Sequence, residues 1–181
     1  SEILERQRNA FLNTEPPTLT QRKKQLAKLR AAVLEYREEL QIAVSEDFGH
    51  RSYHETDVME LVGIVQSIDY LSRNLRRFMK PERRHVSLFY QSGKAHVEYQ
   101  PKGVIGVMAP WNYPISLTLI PLATALASGN RAMLKPSELT PRTSAVIHRM
   151  LASIFTIDEV AVVLGGPEVG AEFSALSFDH L

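Results

Sequence analysis

Residues 103–138 read GVIGVMAPWNYPISLTLIPLATALASGNRAMLKPSE, and this stretch decides the fold. Val104 to Met108 is a short, β-branched apolar run of the kind that fits a strand buried on both faces. Pro110-Trp111-Asn112-Tyr113-Pro114 ends it, because two prolines fix φ and remove two backbone donors. Beyond Pro114 the pattern turns helical through Ile115, Leu119, Leu122 and Leu126, and Ser128-Gly129-Asn130 supplies the stop. Ala132 to Leu134 begins a second strand that Lys135-Pro136 terminates. The whole is one βαβ unit, with its turns at the carboxyl ends of its strands, where open parallel sheets bind ligands. The run from Gly103 to Asn130 carries no charge, but three prolines, Asn112 and the turn break any continuous membrane span.

A second crossover follows. Thr140-Pro141 places an N-cap before a first-turn proline, and Ala145, Ile147, Met150, Leu151 and Ile154 form the buried stripe. Val160 to Leu164 is a strand, Gly165-Gly166-Pro167 turns the chain, and a short helix over about 168–176 leads into Phe178-Asp179-His180-Leu181. The alternation calls for another strand there, so the sheet is expected to continue.

Upstream the chain is helical. Ile3, Leu4, Phe11 and Leu12 fit a short helix ending before Pro16-Pro17. Thr20 is the expected N-cap of a long second helix, with Leu26, Leu29, Val33, Tyr36, Leu40 and Val44 inward and Gly49 at its end. A third helix over about 55–79 carries Val58, Leu61, Val65, Ile68, Leu75 and Phe78 on one side. Pro81 to Arg84 reads as a linker. From His85 to Gln100 the period becomes two, with 85–90 and 95–99 flanking the turn Gln91-Ser92-Gly93-Lys94, which predicts a β-hairpin. An isolated hairpin is marginal in water, so it pairs either with more of this chain or with a neighbouring subunit.

Composition narrows the function classes. The formal net charge of +1 argues against a dedicated nucleic-acid binder, despite the cluster Arg73, Arg76, Arg77, Lys80, Arg83 and Arg84. The basic residues Arg22, Lys23, Lys24, Lys28 and Arg30 read as a solvated helix face. No cysteine is present, so disulfides and thiolate metal sites are excluded, in keeping with a cytoplasmic location. The opening segment SEILERQRNAFL is too charged for a secretory signal. His50 and His54 have the spacing of a helical metal pair, but no third ligand is evident and no metal site is expected.

The PWNYP turn, KPSE at the end of the next strand and GGPEVGAEF after the third stand in the order and at the spacing of a known family. The sequence resembles the N-terminal part of an aldehyde dehydrogenase, closest to the coniferyl, fatty and aromatic aldehyde branch. The resemblance extends over essentially the whole chain. It implies an α/β fold: N-terminal helices over 1–84 packing on the cofactor domain, a protruding hairpin over 85–100 as an oligomerisation arm, and over 101–181 the first βαβαβ units of a Rossmann-like parallel sheet. The catalytic domain would lie outside these residues.

The resemblance also implies roles. Asn112 matches the donor to the oxyanion formed when a thiolate attacks the aldehyde, although Asn in a turn can instead satisfy backbone groups. Lys135 and Glu138 match the pair that grips the adenosine ribose of NAD(P), and a carboxylate there favours NAD, with NADP possible. Gly166 and Gly170 match positions where adenine approaches the backbone, Pro110 and Trp111 belong to the cofactor side of the turn, and Tyr113 and Leu117 are expected to face the substrate tunnel. The implied partners are an aldehyde and further copies of the chain in a homo-dimer or tetramer. The family's nucleophilic cysteine and its two glutamates are not among these residues, so the chain by itself is expected to be inactive. A non-catalytic dinucleotide-binding or oligomerisation module is the alternative.

Overall fold

Val104–Met108 form a strand (β3) of a small parallel sheet in the computed structural model, which describes residues 1–181. It pairs with β4 (Arg131–Lys135), which pairs in turn with β5 (Val160–Val162), giving the order β3-β4-β5. Helix α6 (Ser116–Ala127) crosses from β3 to β4 and α7 (Pro141–Ile154) from β4 to β5. After β5, α8 (Pro167–Ser174) leads back to the other side of β3. There Ile105 bridges His180 in parallel, and Gly106 N donates to His180 O at 2.8 Å. The expected strand at 178–181 is thus present as a single bridge.

The strands alternate between two cores, as the period of two requires. Val104, Met133 and Ala161 pack with Phe173 of α8 and with Leu4 of α1 (Glu2–Leu12). Val107, Ala132, Leu134 and Val160 face the larger core, which joins α6 and α7 to the N-terminal helices. The sheet is therefore covered on both faces, which is why its strands read as continuous apolar runs.

The N-terminal helices depart from the sequence reading in three places. The second helix is capped two residues before the expected Thr20: α2 (Leu19–Glu35) has Thr18 as its cap, which forms a reciprocal box with Gln21. That arrangement satisfies two orphan donors, whereas Thr20 lies inside the first turn. The chain then breaks at Tyr36 and continues as α3 (Arg37–Asp47). The third helix starts at α4 (Tyr53–Thr56), passes through a π-helical turn over Asp57–Leu61 and runs on as α5 (Val62–Phe78). A π turn takes up an extra residue and rotates what precedes it. Val58, expected inside, is 68% exposed, and Glu60 is completely buried instead.

The hairpin also differs. Its strands are β1 (Glu82–Arg84) and β2 (Ala95–Val97), paired antiparallel, so the expected linker supplies the first strand. Leu88–Tyr90 form a 3₁₀ turn inside the connection rather than strand. Both strands are exposed throughout, and Phe89 is 93% exposed at the tip. Within this chain the hairpin pairs only with itself. No helix is long and apolar enough to cross a membrane.

Candidate active site

The carboxyl ends of β3 and β4 open onto a groove of about 520 Å³ whose far wall is α8. Met108, Ala109 and Pro110 bound one side, Lys135, Ser137 and Glu138 another, and Pro167, Gly170, Ala171 and Ser174 the third. This is the crevice position at which open α/β sheets take ligands. A second open cavity of about 450 Å³ lies along the hairpin, between Arg83, Arg84, Lys94 and His96, and contains none of the expected site residues.

Lys135 is the last residue of β4 and is 2% exposed. Its Nζ donates to Glu138 Oε2 at 2.5 Å and to Pro136 O at 3.2 Å. An ammonium has three protons, so one donor is left for a ligand. The hydrogen bond from Lys135 holds the Glu138 carboxyl below its ordinary pKa, helped by its own backbone N–H. Ser137 locks the loop beneath them: its Oγ accepts from Leu139 N, and its carbonyl accepts from Thr140 Oγ and Ser144 Oγ. Thr140 does occupy the cap position of α7 with Pro141 following, but its side chain does not cap. Asp47 from the end of α3 does that work, accepting from Arg142 N, Thr143 N and Thr143 Oγ.

Two residues beyond Pro110, Asn112 sits in the bend between β3 and α6. It is exposed, and its side-chain amide makes no hydrogen bond within the chain, so it is not occupied in satisfying the turn. Its carbonyl instead accepts from Arg51 Nη1 at 3.3 Å. The Arg51 guanidinium lies between two rings, 4.5 Å from the Phe48 centroid and 5.2 Å from that of Tyr113, and Phe48 packs on Trp111 at 6.2 Å. Behind it stands Glu60, whose Oε2 accepts from Ile115 N at 2.8 Å and Ser116 N at 2.9 Å. These are orphan donors of the α6 N-terminus, so a carboxylate on the π turn caps a helix far away in sequence. Burial pushes the Glu60 pKa up, opposed by the two backbone donors and by Arg51.

The structure thus brings Pro110, Lys135, Glu138 and Gly170 to one groove, with a Cβ on Gly170 reaching only ordinary contact distance, 3.6 Å, from Lys135 Cε. Gly166 immediately precedes the groove residue Pro167 without lining it, and Trp111 turns to Phe48 instead. Tyr113 is half-buried under Arg51, and Leu117, the second residue of α6, is 39% exposed. The histidine pair does not form on a helix: His50 lies in the turn before α4, at φ 81°. Arg51 and Glu60 were not legible from the sequence. Nothing local marks a π turn, and only the KPSE motif pointed to the loop containing Ser137.

Comparison with known proteins identifies the family and the fold. The family model described as "Aldehyde dehydrogenase family" matches residues 1–177. A coniferyl aldehyde dehydrogenase of a Pseudomonas species is 46% identical over 178 residues, 98% of this chain and 37% of that protein. A probable coniferyl aldehyde dehydrogenase of Caulobacter vibrioides is 42% identical over 184 residues, covering 100% of this chain and 38% of its own length. Among solved structures, the substrate-bound state of Staphylococcus aureus AldH superposes with a TM-score of 0.93 at 29% identity, over 98% of this chain and 38% of that one. The chain spans well under half the length of these relatives. The chain therefore belongs to the aldehyde dehydrogenase family, and its helices and parallel sheet share that fold.

Proposed function

We propose that these residues supply the adenosine-binding side and the oxyanion donor of an NAD-dependent dehydrogenase that oxidises an aldehyde, coniferyl or another aromatic or aliphatic aldehyde, to its acid. The observation that carries this reading is the placement of the Lys135–Glu138 pair and the Asn112 turn on adjoining carboxyl ends of β4 and β3. The groove fits a dinucleotide's ribose: Lys135 retains a free proton to donate, and Glu138 at the rim can accept from hydroxyls. The carboxylate repels a 2′-phosphate, which favours NAD over NADP. When bound, the nicotinamide accepts hydride. The chain's own residues bind and orient. Asn112, neutral and unpaired in its side chain, donates to the oxygen on which charge develops when a thiolate attacks the carbonyl.

The chain has no cysteine, so that thiolate comes from outside these 181 residues. The absence also suits a cytoplasmic setting. The exposed hairpin, with Phe89, Leu88 and Tyr90 uncovered, supports a role as an arm engaging another copy of the protein in a dimer or tetramer.

The test uses the natural full-length gene product, with aldehyde-dependent NADH formation and NAD affinity measured side by side. Asn112→Ala is expected to lower kcat by about 10²–10³ while NAD affinity holds. Lys135→Met should weaken NAD binding. Full activity in Asn112→Ala, or NAD affinity indifferent to Lys135, would overturn the reading.

A further inference from the structure

Asn112 can act on an oxyanion only if its turn is rigid; Pro110 and Pro114 fix φ at its two ends, but the backbone N–H groups of Trp111, Asn112 and Tyr113 between them find no partner in the chain. Pro110 and Pro114 donate no backbone hydrogen bonds, and the Asn112 side chain bonds nothing in the chain. What fixes it comes from 55–61 residues upstream. Arg51 donates to the Asn112 carbonyl at 3.3 Å and sits against the Tyr113 ring, so it touches both residues at the centre of PWNYP. Glu60 holds the backbone N–H groups of Ile115 and Ser116, immediately after the second proline. The two side chains face one another at 3.5 Å, Arg51 being 11% and Glu60 0% exposed. Glu55 also contacts Arg51, at 3.3 Å.

We propose that Arg51 and Glu60 are positioning residues that lock the Asn112 turn from both sides and so set the aim of the oxyanion donor. The proposal rests on the reading of Asn112 given above. Two features show that the placement is specific. Glu60 reaches α6 because the π turn rotates it inward in place of Val58. Arg51 leaves α3 through consecutive left-handed residues, Gly49 at φ 64° and His50 at φ 81°, the latter a conformation that non-glycine residues seldom adopt. Neither group reaches the groove where the cofactor is expected. Their effect therefore falls on turnover rather than on dinucleotide binding.

A double-mutant cycle in the full-length gene product tests this. Arg51→Met should lower kcat about tenfold with NAD affinity unchanged, because small misplacements of a reacting group are costly. In an Asn112→Ala background the same substitution should cost nothing further, since there is no longer a donor to aim. Arg51→Lys should recover part of the loss, and Arg30→Ala, which breaks a surface pair with Asp69, should leave kcat alone. Should Arg51→Met fail to fold, as judged by lost NAD binding, Glu60→Met, which removes the acceptor for Ile115 N and Ser116 N, takes its place in the cycle with the same expectation. Equal losses in both backgrounds, or no loss in either, overturn the positioning role. An Asn112→Ala protein with undiminished kcat instead overturns the oxyanion reading, and the positioning role with it.

Discussion

Glu60 Oε2 lies 2.9 Å from the backbone nitrogen of Ser116, so a carboxylate on one helix closes the N-terminus of another 56 positions later. Because burial raises its pKa, the native state holds this proton more tightly than the unfolded chain does. The contribution to stability is therefore fully present below the ordinary glutamate value of about 4.3 and is lost as pH rises through the folded value. Glu60→Gln removes the titration. Urea midpoints of the variant are expected to gain on wild type as pH rises from about 4 to 8; parallel profiles would show that Glu60 ionises without cost.

Glu138 has the opposite sign. Its pKa is depressed by Lys135, so the pair is intact above the ordinary carboxylate range and lost as pH falls through the folded value. NAD affinity should fall with it on acidification. Glu138→Gln should remove that acid limb and narrow the preference for NAD over NADP by about tenfold, the equivalent of about 1.4 kcal/mol. Fluorescence titrations with the two dinucleotides check both effects, and an unchanged ratio would take Glu138 out of cofactor selection.

Gly129 ends α6 at φ 83°, and a Cβ there would stand 2.7 Å from the Arg22 guanidinium. Arg22 is itself buried, donating to the carbonyls of Pro17 and Ala127. Gly129→Ala should thus cost about 1–3 kcal/mol through strain and a displaced cation. Chemical denaturation measures it, and a loss under about 0.5 kcal/mol would mean that the cap relaxes freely.

Gly106 marks a close approach of another kind. A Cβ on it would lie 2.7 Å from both the Phe178 ring and Leu181 Cδ1. Gly106→Ala is expected to push residues 178–181 off β3 and break the bond from Gly106 N to His180 O. Amide exchange at residue 106 should quicken while that of Leu134, inside the sheet, stays slow. Unchanged protection at 106 would show that the segment shifts without losing its register.

Much of the fold was legible because its signals are local. The apolar run Val104 to Met108, the paired prolines of PWNYP, the Gly129 stop and Thr140-Pro141 each express steric or hydrogen-bonding limits that act within a few residues. β3, α6, β4 and α7 follow those signals closely, and the PWNYP and KPSE motifs lie on the turns between them. Contacts between distant residues decided the rest. The true cap at Thr18 depended on which threonine met Gln21, and the first hairpin strand on a register that no single strand encodes. Nothing in the sequence singles out Glu60 or Arg51. Only the π turn and the α3 exit carry them inward to the backbone of the Asn112 turn, where unpaired N–H groups give the carboxylate, and the Asn112 carbonyl gives the guanidinium, partners that sequence order does not reveal.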